Sequence, residues 1–218
     1  PICPAAVGGD NYVVDGLAAA RYLLASGDAA WLDAPLPFHG SAAAVPVREH
    51  LARALAVARE RRIAGTALVA YGHGDWNDSL QPADPALREH LCSAWTVTLH
   101  HQALTTLARA LRGLGDVVGA DLLVAEAAAV AADFRRLLMP DGEVAGYALF
   151  PPGGEPEWML HPRDRRTGLT ASLLRVSSCG FIPAPCQPSR RTVSRTTSRW
   201  EDCRGPIGRR KRMHRGAV

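Results

Sequence analysis

Between Pro85 and Gly113 the chain contains neither proline nor glycine, and apolar side chains return at Trp95, Leu99, Ala103, Leu107 and Leu111. A spacing of four residues stacks side chains on one helical face. The stretch is therefore expected to form one long helix over about residues 86–112. Asp84 suits its N-cap, Pro85 its first turn, and Gly113 with Gly115 its stop. A stripe this long needs a partner surface, so the chain's other elements are expected to be amphipathic too.

They are. A first helix is expected from about Asp15 to Ser26, with Asp15 as N-cap, Leu17, Ala20 and Leu24 on one face, and Gly27 at the stop. A Pro-rich loop covers residues 34–46. A second helix starts near Val47, buries Leu51, Ala54, Leu55 and Ala58, and ends at Gly65. After the long helix, Asp116 caps another, with Val118, Leu122, Ala125, Ala129 and Ala132 read as an alanine-rich buried face. Pro140, Asp141 and Gly142 make a turn, and a short β segment is expected near 143–160. Residues 165–175 read as the start of one more helix. The class is all-α, with successive amphipathic helices packed antiparallel.

The net charge of +4 hides two different halves. Of 25 basic and 21 acidic residues, ten basic and two acidic lie from Val176 onward, leaving fifteen basic and nineteen acidic in residues 1–175. The segment 176–218 has no apolar periodicity and is rich in Ser, Thr, Arg and Pro. It reads as a disordered basic tail or as the product of a shifted reading frame. A basic tail can bind nucleic acid by charge. A non-catalytic helical module carrying such a tail is therefore the alternative reading from outside enzymology. The five cysteines form no CxxC pair, which argues against a zinc site or a disulfide framework and for a reducing compartment. No run is long and apolar enough to span a bilayer, and no signal peptide is visible at the N-terminus. The expected location is cytoplasmic.

The densest chemistry lies in YGHGDWNDSLQP, residues 71–82. Asp75 and Asp78 bracket Trp76 and Asn77. An indole packs on the C–H face of a pyranose ring, while carboxylates and amides take its rim hydroxyls. A carboxylic acid with a raised pKa can protonate a glycosidic oxygen. The plainer reading is a turn, with Asp78 as a local cap and Trp76 as a core anchor. Composition alone favours that plainer reading.

GDWND, set between helical stretches after a small apolar run, resembles the signature of the glycoside phosphorylases of glycoside hydrolase family 94. That family includes cellobiose and chitobiose phosphorylases and the phosphorylase-like domain of cyclic β-1,2-glucan synthases. VDGLAAARYLLASGDAAWLDAPLPF, VREHLARALAVA and MPDGEVAGYALF are similar to further family segments, so the resemblance covers roughly residues 10–175. Ser79 stands where the family often has Gly or Cys, and REHLCSAWTVTL stands where many members carry GESVWL.

The resemblance implies a catalytic (α/α)6 barrel of twelve helices, of which residues 1–175 would be a slice. It implies inverting phosphorolysis of a β-linked gluco-oligosaccharide to an α-sugar 1-phosphate. Inorganic phosphate is the co-substrate, with no metal or other cofactor. Asp78 would be the general acid and Trp76 would line the subsite of the transferred sugar. Asp75 and Asn77 would support the loop or contact hydroxyls. His73, two residues before Asp75, is read from its position alone as a contact to a sugar hydroxyl or phosphate or, more plainly, as a local hydrogen-bond partner. The full-length enzyme is expected to form a homodimer, and no nucleic acid or membrane partner is expected. The family's phosphate-binding residues lie further downstream, so the slice is expected to be inactive alone. An inverting hydrolase on the same barrel is the enzymatic alternative; it would need a second carboxylate to activate water.

The remaining candidates are weaker. His100 and His101 are adjacent on a helix, about 100° apart, and cannot make a one-face metal pair; one should be buried and the other solvated. Glu89-His90 lacks the second histidine of a zinc-protease helix. HPRDRRTG, residues 161–168, reads as exposed charge or as a loop at a site rim.

Overall fold

The computed structural model describes residues 11–72, 74–75, 82 and 84–167. The tail 176–218 and residues 168–175 lie outside the described residues.

Four α-helices carry the described fold: α1 (Asn11–Ser26), α2 (Val47–Glu60), α3 (Ala94–Gly113) and α4 (Val117–Asp133). Helix α3 packs on both α1 and α4, and α2 packs on α1. Their shared core includes Ala20, Leu23, Leu68, Val69, Val97, Leu104, Ala108, Val130 and Leu138, each no more than 2% exposed. Burying one such Leu or Val side chain contributes about 1.5–3 kcal/mol.

The first helix is longer than the sequence suggested. It runs from Asn11, so Asp15 lies inside it and is not its cap. Its end is as expected: Gly27 has φ +65° and its N–H donates to Leu23 O at 2.9 Å, the left-handed stop that glycine tolerates. A short 3-10 turn (Ala29–Asp33) and an antiparallel pair, β1 (Pro35–Pro37) with β2 (Ala44–Pro46), then lead into α2. Glu49 in the first turn and Arg59 in the last complement the α2 dipole.

Helix α2 stops at Glu60, five residues before Gly65. The backbone turns back there: Ile63 N–H donates to Leu68 O and Ala70 N–H to Arg61 O, both at 2.8 Å. Gly65, at φ +73°, sits in this turn. The returning stretch Leu68–Tyr71 is fully buried and delivers the chain to the polar cluster.

The long helix expected over 86–112 is broken. Asp84 does cap the start, accepting from Ala86 N–H at 2.9 Å, but the capped element is a 3-10 turn, Pro85–Glu89. Strand β3 (Leu91–Ser93) follows, and α3 begins only at Ala94. The cause is pairing with a distant partner. Strand β3 runs antiparallel to β4 (Tyr147–Leu149), with Leu91 opposite Leu149, Cys92 opposite Ala148 and Ser93 opposite Tyr147. Strand β5 (Glu157–Met159) completes a three-stranded sheet. These strands agree with the β segment expected near 143–160. Trp95, expected on the buried stripe, lies in the first turn of α3 and is 49% exposed.

Helix α4 presents the other difference. Asp116 caps it as expected, accepting from Gly119 N–H at 2.8 Å. The face expected to be buried is outside: Val118 is 74% exposed and Leu122 66%. The buried face is Ala120, Leu123, Ala127, Val130 and Ala131. A helix apolar nearly all round does not select a face by periodicity. Two acids do. Glu126 pairs with Arg59 at 2.7 Å and also with Arg62, and Asp133 accepts from Ala67 N–H at 2.7 Å. Seven residues apart, the two acids lie two turns apart on one side, and both tie that side to residues 59–67. Past α4, the π-helical turn Phe134–Leu138 and the turn at Pro140–Gly142 bring the chain to β4.

Candidate active site

The segment 71–75 enters the polar cluster under close backbone control. Tyr71 N–H donates to Leu91 O at 2.6 Å, Gly72 N–H to Arg88 O at 3.1 Å, and Gly74 N–H to Tyr71 O at 3.3 Å. Gly72 and Gly74 have φ +61° and +134°. Side chains rarely adopt such angles, so the reversal here depends on glycine.

Asp75 ends this run 2% exposed. Ser93 Oγ donates to its Oδ2 at 2.7 Å, and the Tyr147 phenol lies close enough to feel the charge of the same carboxylate. A buried carboxylate is costly unless such a donor satisfies it. Burial raises the Tyr147 phenol pKa well above its ordinary value, and the neighbouring Asp75 charge adds to the rise. The phenol therefore stays protonated. Its ring stands edge-on to the fully buried Tyr71, with centroids 5.8 Å apart and planes at 73°.

Of the site residues expected from the sequence, Asp75 alone is among the described residues. His73, Trp76, Asn77 and Asp78 lie outside them. Asp75 is bound inward, to the sheet formed by β3 and β4. The carboxylate also sits beside the first turn of the 20-residue helix α3, where the helix dipole favours negative charge.

Ser93 and Tyr147 were not legible as site residues. The residues around Ser93 carry a helical pattern, and Tyr147 stands 54 residues further on in a short strand. Only the β3–β4 register places them side by side.

The remaining candidates take structural places. His100 is buried, 2% exposed, while His101 is half-buried. Burial lowers the His100 pKa to about 4, against the opposing pull of the Glu126 charge. Neither ring nitrogen of His100 has a hydrogen-bond partner. In HPRDRRTG, His161 is buried and its Nδ1 accepts from Arg163 N–H at 3.1 Å. Asp164 accepts from the N–H groups of Leu160, Arg166 and Thr167, each at 2.8 Å. The Arg163 guanidinium lies 5.6 Å from the centre of the Trp158 ring. Cys92 is buried in β3 with its thiol pushed up to about 12 by burial, so it is not a thiolate nucleophile. Among the described residues no three His, Cys, Asp or Glu side chains form a group that could hold a metal ion. Nor is any described helix long and apolar enough to cross a membrane.

No known family model matches the chain. Over 163 residues, 72% of its length, the chain is 35% identical to a 1,2-beta-oligoglucan phosphorylase of Listeria innocua serovar 6a (strain ATCC BAA-680 / CLIP 11262). Part of this chain is related to a glycoside phosphorylase. The chain spans 14% of that relative's length.

Proposed function

We propose that these residues form the proton-donating part of an inverting phosphorylase acting on β-1,2-linked gluco-oligosaccharides, within a partial (α/α)6 barrel. The observation that carries the reading is the 35% identity over 163 residues to a protein of that activity. The anchoring of Asp75 directly ahead of Trp76, Asn77 and Asp78 supports it, because a general acid needs a fixed backbone beneath it. Asp78 is the proposed acid. Trp76 is the proposed platform for the transferred glucose, with Asn77 and His73 beside the hydroxyls or phosphate.

The reaction needs one carboxylic acid. A phosphate oxygen attacks the anomeric carbon, the bond from that carbon to the bridging oxygen breaks, and the Asp78 proton passes to the departing oxygen. The products are an α-glucose 1-phosphate and an oligosaccharide one unit shorter. Phosphate is already an anionic nucleophile, so no second carboxylate must deprotonate a water.

The chain spans 14% of the relative, so the activity is proposed for a polypeptide in which a full catalytic domain surrounds these residues. The test is a chimera: the Listeria relative with its matched segment replaced by the corresponding residues of this chain. Consumption of a β-1,2-gluco-oligosaccharide that requires inorganic phosphate supports the proposal. Turnover in water without phosphate, or no turnover where the unreplaced relative is active, contradicts it.

A further inference from the structure

We infer that Ser93 and Tyr147 are positioning residues: a cross-strand pair in which the Ser93 hydroxyl holds the Asp75 carboxylate and the Tyr147 phenol stands beside it, so fixing where the chain enters residues 76–78. This inference rests on the phosphorylase reading only for its catalytic consequence.

The pairing register is the first support. Ser93 and Tyr147 are direct partners across β3 and β4, and directly opposed residues project to the same face of a sheet. Both side chains therefore lie on one face, and the Ser93 hydroxyl reaches the Asp75 carboxylate from it. Burial is the second. Asp75 and Ser93 are 2% and 1% exposed, so water cannot replace a lost donor without opening the site. The third is what Ser93 leaves undone. It occupies the N-cap of α3, yet its side chain makes no cap hydrogen bond there. The hydroxyl oxygen of a serine at an N-cap ordinarily accepts from a backbone N–H in the first turn of its own helix; here the hydroxyl instead donates its proton to Asp75. Tyr147, in turn, has its ring set by the edge contact with Tyr71. Tyr71 is itself tied to Leu91 through its backbone N–H. The chain is thus pinned on both sides of residue 73: at Tyr71 and Gly72 by β3 and the preceding turn, and at Asp75 by the Ser93 hydroxyl.

Displacing a catalytic group by an ångström can cost on the order of 100-fold in rate. Losing the Ser93 donor should allow a smaller displacement.

The test uses Tyr147→Phe, Ser93→Ala, the double variant and Asp75→Asn. Tyr147→Phe keeps the ring and its contact with Tyr71, and Ser93→Thr keeps the hydroxyl and serves as the rescue. In the 218-residue chain, amide hydrogen exchange at Gly74 and Asp75 should rise about ten-fold in the first two variants, with Leu104 in the α3 core unchanged. Asp75→Asn should lower the titration point of the Tyr147 phenol, read by carbon-13 NMR of the ring, because the charge that helps hold it protonated is gone. In the chimera, Tyr147→Phe and Ser93→Ala should each lower kcat roughly ten-fold with KM within about two-fold, and the double variant should cost less than the product of the two, since both act on one carboxylate. Ser93→Thr should restore most of the loss.

Unchanged exchange at Gly74 and Asp75, exchange that rises equally at Leu104, or a Tyr147 titration indifferent to Asp75→Asn would overturn the inference. So would a loss confined to KM. If the chimera shows no phosphate-dependent turnover at all, the functional reading fails, while exchange and titration still decide the clamp.

Discussion

Ser93 Oγ lies 2.7 Å from Asp75 Oδ2, eighteen residues away in sequence, with both side chains closed off from solvent. This bond ties the start of α3 to the end of the glycine-rich run 72–75. It makes the candidate site depend on sheet pairing rather than on the cluster alone.

Glu126 offers a stability test. It joins Arg59 and Arg62, and its own side chain is only 10% exposed. Arg62 Nε is buried without a partner, so the pair is already incompletely satisfied. Glu126→Ala should destabilise the chain by about 2–3 kcal/mol. That is below the loss expected for a wholly buried pair, because Arg59 remains 46% exposed. Urea unfolding at pH 7 measures it. A change below about 0.5 kcal/mol would show that the bridge does not set the face of α4.

Two leucines on neighbouring helices should respond oppositely. Leu104 in α3 is 0% exposed and Leu122 in α4 is 66% exposed. Leu104→Ala should cost about 2–5 kcal/mol through lost burial and the cavity left behind. Leu122→Ala should stay within about 0.5 kcal/mol. Thermal melts of the two variants compare them directly; equal losses would mean that the exposed face of α4 is covered in this chain.

His100 makes acid stability predictable. Its pKa falls from 6.5 to about 4 on burial. The charged groups acting on it are Glu126, which opposes the fall, and Arg62, His101 and Arg59, which deepen it. Because the folded value lies below the unfolded one, the folded state is at no disadvantage above pH 6.5. It loses stability as pH falls toward 4, where the unfolded chain takes up the proton first. The full loss is on the order of 3 kcal/mol. Urea midpoints at pH 7.5, 5.5 and 4 should show it in the parent chain, and His100→Leu should remove that part of the dependence. An identical pH profile in the variant would remove His100 as the cause.

The helices were largely legible because their apolar residues recur at helical spacing and because the cap Asp116 and the stop Gly27 have local chemistry. What escaped the sequence is non-local. Leu91–Ser93 continue a helical pattern, and only a partner more than fifty residues away turns them into a strand. Helix α4 is so uniformly apolar that Val118 and Leu122 look as suited to the core as Leu123 and Val130. The choice is made by Glu126 and Asp133 reaching residues 59–67. At the candidate site the order was reversed. The string GDWND was conspicuous, whereas the hydroxyl that holds Asp75 and the phenol beside it sit in LCSAW and GYALF, where neither is unusual.

The proposed role of Asp78 as general acid predicts a signature of its own. Protonating the departing oxygen matters for an alkoxide and little for a good leaving group, and a positioned acid contributes about 100- to 10,000-fold. The decisive measurement is phosphorolysis by the chimera and its Asp78→Asn variant, followed by phosphorus-31 NMR, on a β-1,2-gluco-oligosaccharide and on a nitrophenyl β-glucoside. The account expects phosphate-dependent α-glucose 1-phosphate from the parent, at least a 100-fold loss on the oligosaccharide in the variant, and less than about a ten-fold loss on the nitrophenyl substrate. Undiminished oligosaccharide phosphorolysis in Asp78→Asn, or equal losses on both substrates, would contradict it.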